Sequence, residues 1–145
     1  MIRSNSAWSL DEIEAFLHSQ QIPIRLACLT GNDSPIVLSL WYLYQDEALW
    51  CATQKTAKIV EYLKRNPNCG FEIAPESPPY RGVRGQGVAS ISAKPALTVL
   101  TGLIERYPVG KDSGLASWLI ERADKEVAIC IKPSWLTSWD YSSRM

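Results

Sequence analysis

The segment Thr53-Gln54-Lys55-Thr56-Ala57-Lys58 carries the densest set of groups able to hold an anion. It joins a run of strand character, Ala48 to Thr53, to a run of helical period from Thr56 to Asn66. Two lysines therefore fall in or beside a first helical turn, where the macrodipole is already positive and Asp or Glu is preferred. Lysines there, with the hydroxyls of Thr53 and Thr56 and free backbone N–H groups, suit a phosphate or a similar anion. The pair reads equally well as two solvated side chains, at a cost of roughly a few tenths of a kcal/mol.

Arg25 is the second such group. It opens the run Ile24 to Thr30, in which Ile24 and Leu26 share one face and Arg25 lies on the other with Ala27 and Leu29. An arginine among small and apolar neighbours needs a counter-charge, or else it snorkels at a rim. The third group is Arg81-Gly82-Val83-Arg84-Gly85-Gln86-Gly87. Alternation puts Arg84 and Gln86 on one face and Gly85 and Gly87 on the other. Glycines in a strand mark a bulge or the close approach of a backbone or ligand. They do not form the dinucleotide fingerprint, since Gly-x-Gly-x-x-Gly is absent and no helix follows at once.

Other chemistries are excluded. His18 is the one histidine and falls on a polar helix face, so no histidine triad and no multi-histidine metal site exist. Cys28, Cys51, Cys69 and Cys130 are scattered, without Cys-x-x-Cys, and sit in apolar runs where a reduced thiol packs as a small hydrophobe. No isolated acid pair lies in an apolar context, so no acid–base pair and no catalytic residue can be named.

The elements that must position these groups follow from period and punctuation. Ser9 and Glu12 form a capping box ahead of a helix over about Asp11 to Gln20. Strands are expected at Ile24 to Thr30, Pro35 to Tyr44 and Ala48 to Thr53, forming an antiparallel meander. A helix from Thr56 to Asn66 and strands from Cys69 to Ala74 and Gly82 to Ser92 come next. Helices over Pro95 to Tyr107 and Leu115 to Ala123 precede two last strands, Val127 to Ile131 and Trp135 to Tyr141. Loops at Pro75 to Tyr80 and Pro108 to Ser113 would shape any pocket. Short connections favour an α+β domain with an antiparallel sheet closed into a small barrel. Of six tryptophans, Trp135 and Trp139 share one strand face, and most indoles are expected in the core or at a subunit interface.

Size and charge bound the rest. The 145 residues suit one domain, 1–145, large enough for its own core. Lys plus Arg and Asp plus Glu are each 15, giving a net charge of zero, which disfavours nucleic-acid or anionic-membrane binding. No apolar run reaches the ~20 residues of a membrane span, and the polar start lacks a signal sequence, so a cytoplasmic protein is expected.

Arg25-Leu26-Ala27-Cys28-Leu29-Thr30, Ser39-Leu40-Trp41-Tyr42, Trp50-Cys51-Ala52-Thr53 followed by Lys58, Leu63-Lys64-Arg65-Asn66-Pro67 and Val83-Arg84-Gly85-Gln86-Gly87-Val88-Ala89 together resemble the pyridoxamine 5′-phosphate oxidase-like FMN-binding split barrels. The resemblance runs from about Trp8 to Tyr141. It implies an antiparallel split β-barrel with flanking helices, forming a homodimer with FMN at the subunit interface. It further implies that the Arg25 to Thr30 strand, with Arg25, Leu26, Ala27 and Cys28, lines the flavin, its backbone facing the ring system and the arginine near the phosphate. Trp41 and Ala52 would border the ring, and Thr53, Lys55, Thr56 and Lys58 would hold the phosphate. Arg84 or Gln86 would meet the polar edge of the ring.

Two departures bear on activity. The glutamine of the oxidases' Arg-Gln-Val-Arg-like segment is replaced by Gly82, and the tail after Trp135 has no histidine. The resemblance thus implies a flavin oxidoreductase of the broader superfamily acting on a small molecule, not a vitamin B6 oxidase. The alternatives are an F420-dependent reductase, with Lys64, Arg65 and Arg81 as extra cations, a non-catalytic flavin- or haem-binding module, and a cofactor-free dimerisation barrel.

Overall fold

The computed structural model describes residues 1–108 and 114–145. Helix α1 (Leu10–Ser19) begins as its capping box requires: the Glu12 backbone N–H donates to the Ser9 hydroxyl, and the Ser9 N–H donates to the Glu12 carboxylate. Strand β1 (Ile24–Leu29) forms a hairpin with β2 (Pro35–Leu40), and β3 (Leu43–Gln45) forms one with β4 (Ala48–Gln54). Helix α2 (Lys58–Arg65), β5 (Asn68–Ile73), β6 (Arg81–Ser92), α3 (Ala96–Arg106), α4 (Gly114–Glu121) and β7 (Glu126–Asp140) follow.

The strands form a seven-stranded antiparallel sheet in the order β2-β1-β5-β6-β7-β4-β3. The expected meander is therefore wrong: the two hairpins sit at opposite edges, with β5, β6 and β7 between them. The expected strand from Pro35 to Tyr44 is two strands, broken at Trp41-Tyr42. Flat, seven strands at about 4.8 Å spacing would hold β2 and β3 roughly 29 Å apart. Leu40 and Leu43 are three residues apart, and that stretch of chain reaches at most about 11 Å. The sheet must curl until its edges meet at that corner, which makes it a barrel split along β2 and β3.

The corner is pinned by hydrogen bonds that a strand pattern cannot announce. The Tyr42 N–H donates to the Tyr107 hydroxyl (3.1 Å), the Tyr42 hydroxyl donates to the Leu17 carbonyl (2.7 Å), and Trp41 stacks on Tyr107 at 4.7 Å. The last two expected strands are one, because β7 passes Pro133-Ser134 through a bulge opposite Gln86 and Gly87.

The inward faces of the strands enclose the main core, including Leu26, Cys28, Leu49, Cys51, Phe71, Ile73, Val83, Ile129, Ile131 and Leu136. Helix α1 adds Ile13, Phe16 and Leu17, and α2 adds Ile59, Val60 and Leu63. Each fully buried aliphatic side chain contributes about 2 kcal/mol. Helix α3 lies on the outer face of β4 and β7, where Val99, Leu103, Tyr107 and Ala128 form a second cluster with Trp41, Leu43, Trp50 and Ala52. Among the described residues no helix covers the outer faces of β1, β5 and β6 in this way. Among the described residues no helix is long and apolar enough to cross a membrane. Apart from Pro108, the loop expected to run from Pro108 to Ser113 lies outside the described residues.

Burial fixes an alkaline limit. Desolvation pushes the Tyr42 and Tyr44 phenols up to about 12 and the Cys69 thiol to about 11, and raises the Cys51 thiol as well. Folding holds these protons more tightly than the unfolded chain does, from ordinary values of 9.0 and 10.0. Their contribution is complete below pH ~9 and is lost as pH rises through ~11 and ~12. The denaturation midpoint in urea should fall steeply from pH 9 to 12, and Tyr42→Phe should flatten that fall.

Candidate functional site

Strand register assembles the site. Residues directly opposed in adjacent strands share a face, so the outer surface of the sheet reads as cross-strand rows. One row is Ser39–Arg25–Glu72–Arg84–Thr137, running across β2, β1, β5, β6 and β7. Two residues along, the next is Val37–Ala27–Gly70–Gln86–Trp135. The first row is polar throughout and holds two arginines around one glutamate. The second has almost no side chain at its centre, at Ala27 and Gly70.

That difference in height makes a trough. One half, of about 500 Å³, is lined by Arg25, Ala27, Val37, Arg84, Gln86 and Trp135, among others. The other half, of about 390 Å³, runs past Leu29, Pro35, Asn68 and Cys69 to Ser134. Both halves include Ala27, Gly70 and Gln86, so they form one depression, within the size range of small-molecule sites. Its rim is apolar on the β2 side, where Val37 is 63% exposed. On the β7 side the Trp135 indole N–H donates to the Gln86 amide oxygen (3.1 Å), and the Arg3 guanidinium lies 3.7 Å over the same indole.

The electrostatics differ from the sequence expectation. Arg25 has its counter-charge: Nη2 lies 3.3 Å from Glu76, carried by the three-proline loop, and Nη1 donates to Ser39 (2.6 Å). Arg84 has no hydrogen-bond or ion-pair partner among the described residues, and faces the trough beside Gln86. At the start of α2, Lys58 pairs with Glu61 (3.5 Å) and Lys55 Nζ donates to the Asp124 carbonyl (3.2 Å). The cations thus do not form one cluster within a chain. Arg65, at the far end of α2, bonds the Thr30 carbonyl and Asp33 beyond the end of β1. Lys58 is a helix length away from it, roughly 10 Å.

Of the twelve residues singled out from sequence, Arg25, Ala27, Arg84 and Gln86 meet with their side chains on the trough face, and Cys28 borders one half. The Leu26 side chain points into the core, which leaves only its backbone toward the trough face. Trp41 and Ala52 pack beneath α3 and do not line the trough. Thr53, Lys55, Thr56 and Lys58 lie outside it as well. Gly85 and Gly87 face inward against the backbone of β7, not a ligand: a Cβ on Gly85 would stand 2.4 Å from the Trp135 carbonyl. Gly70, Glu72 and Asn68 were missed, because only the β1–β5–β6 pairing reveals them as the floor. His18 packs edge-on to Tyr44 at 5.4 Å, away from the trough. No group of three metal-ligating side chains converges among the described residues.

Solved structures place this architecture. A conserved hypothetical protein from Mycobacterium tuberculosis superposes with a TM-score of 0.82 at 23% identity, covering 100% of this chain and 93% of its own. A Clostridium acetobutylicum protein of the pyridoxine phosphate oxidase family, related to general stress protein 26, gives 0.67 at 17% identity, covering 92% and 89%. The fold is the pyridoxamine 5′-phosphate oxidase-like split barrel. Split barrels of this kind include an F420 reductase (TM-score 0.68, 19% identity, coverage 84% and 94%). An FAD-binding protein from Mesorhizobium loti also shares it. No protein-family model and no curated protein matches the sequence. An FAD-binding protein and an F420 reductase are thus among the structural neighbours.

Proposed function

We propose that the trough binds FMN and that the protein is a flavin-dependent oxidoreductase acting on a small molecule. The observation that carries this reading is the bare Ala27–Gly70 floor, set between the Arg25–Glu72–Arg84 row and the Trp135 wall. A planar ring can lie flat only where the sheet offers no side chains, and this is where the outer face offers fewest. Arg84 and Gln86 stand at the edge of that floor. Both can donate hydrogen bonds to a ring carbonyl and stabilise negative charge there. The Trp135–Gln86 hydrogen bond orients the amide so that its N–H₂ is the group left to donate. Bound flavin supplies two-electron chemistry, while the chain binds, orients and excludes water.

The uncovered sheet face and exposed Val37 favour a homodimer that closes the trough with a second copy. In that reading Thr53, Lys55, Thr56 and Lys58 serve a phosphate only if the partner copy presents them, since none lines the trough of its own chain. FMN titration should quench flavin fluorescence and raise the melting temperature, by the equivalent of about 2.7 kcal/mol at a hundredfold excess over Kd. If a large excess of FMN does neither, the assignment is wrong. F420 is the second reading, favoured by the fold shared with the F420 reductase, and a competition titration separates the two.

A further inference from the structure

Beneath the floor of the trough lies a pair of thiols that the proposed flavin chemistry does not use. The β1–β5 register pairs Arg25 with Glu72, Leu26 with Phe71 and Ala27 with Gly70. The paired register ends at Ala27–Gly70, and continuing it by one step along the same strands would set Cys28 opposite Cys69. Both point to the inner face of the sheet, with Leu26 and Phe71. Directly opposed residues in antiparallel strands hold their Cα atoms about 4.5 or 5.5 Å apart, within the range of about 4.4–6.8 Å that a disulfide spans. No other two of the four cysteines are so placed: Cys51 opposes Ile129 and Cys130 opposes Trp50.

Access separates this pair from the others as well. Cys28 and Cys69 both border the half of the trough that runs to Ser134, at 3% and 6% exposure, whereas Cys51 is completely enclosed. Among the described residues these are the two cysteines that border the trough, with their side chains on the inner side of the sheet that forms its floor. The Cys69 thiol is held only by a weak S–H donation to the Gly87 carbonyl at 3.5 Å, which its oxidation gives up at little cost.

We infer that Cys28 and Cys69 form an oxidative modification site, a cross-strand dithiol that a hydroperoxide converts to a disulfide. One sulfur attacks the peroxide oxygen, the O–O bond breaks, and a sulfenic acid and water (or an alcohol) result. The second thiol then attacks that sulfur and expels its hydroxyl as water, so the two thiols lose two protons and two electrons to the peroxide. Burial raises both thiols above their usual range, Cys69 to about 11, so the reaction accelerates as pH rises from 7 to 9. The bond would lock β1 to β5 next to Ala27 and Gly70, the floor of the trough.

The test uses the full chain, folded and without cofactor, treated with hydrogen peroxide in the millimolar range. Remaining thiols are alkylated, and the protein is digested between Cys28 and Cys51. The inference expects the intact mass to fall by two hydrogens and a linked Cys28–Cys69 peptide to appear. Cys51→Ala and Cys130→Ala should keep that product, and Cys28→Ala or Cys69→Ala should slow thiol loss at least about tenfold. A linkage mapped to another pair, or oxygen addition without any linkage, overturns it. The linked peptide is read in the unmutated chain, so a variant that fails to fold does not blunt the test. Because no flavin enters the assay, the result is independent of the cofactor assignment.

Discussion

Gly70→Leu is expected to abolish FMN binding while leaving the fold intact. A Cβ at Gly70 would meet only the Gly85 carbonyl oxygen at 3.8 Å and the Ala27 Cβ at 3.9 Å, both ordinary contacts. The sheet accepts the side chain, and a strand interior prefers it to glycine by roughly 0.5–1 kcal/mol. The isobutyl group then stands on the outer face in the middle of the floor, where both halves of the trough meet. Affinity should fall at least about a hundredfold, near 2.7 kcal/mol, since a ring cannot lie over a branched side chain. Arg84→Ala removes charge-assisted hydrogen bonds without blocking the floor, and should cost about tenfold. Fluorescence titration with a parallel melting curve reads both. Undiminished binding by Gly70→Leu would remove the trough from the account, whatever the protein binds elsewhere.

Much of the secondary structure was legible in local pattern because the local pattern decides it. The Ser9–Glu12 box, the alternation in Ile24–Leu29 and the period of Ile59, Val60 and Leu63 each lie within one element. The breaks were harder, and for one reason. Trp41-Tyr42 continues a run of strand-forming residues, and only Tyr107 and Leu17, far away in the chain, take that segment out of the sheet. Pro133-Ser134 looks like a stop, yet β7 continues because β6 accommodates an extra residue opposite Gln86 and Gly87.

The site divides along the same line. Alternation within single strands placed Arg25 with Ala27 and Arg84 with Gln86, and those four do face one trough. Grouping the lysines of the β4–α2 junction with Arg25 required knowing where strands lie relative to one another, and there the sequence expectation failed. The counter-charge that Arg25 needs comes from Glu76, in a loop fifty-one residues later, which no pattern around Arg25 announces. Gly70 carries no side chain to notice, and its role exists only through the neighbours that β1 and β6 bring beside it.

Gly85→Ala should be strongly destabilising, in contrast to Gly70→Ala on the adjacent strand. A Cβ at Gly85 would lie 2.4 Å from the Trp135 carbonyl oxygen and 2.7 Å from the Phe71 ring. The ring could turn, but the carbonyl belongs to β7, and relief requires β6 and β7 to part. That ladder is the longest in the sheet, running from Arg81–Asp140 to Ser92–Ala128, so the strain cannot be passed to a loose end. Overpacking against backbone costs about 3 kcal/mol, a large share of the 5–15 kcal/mol by which a domain of this kind is stable. The melting temperature should drop by roughly 10 °C, while Gly70→Ala moves it by about 2 °C or less. Because Gly85 faces the interior and Gly70 the trough, the two alanines also separate stability from binding: the first weakens the fold with the floor unchanged, and the second leaves the fold while narrowing the floor. Equal melting temperatures for the two variants would show that β6 and β7 do not approach as closely as the register requires.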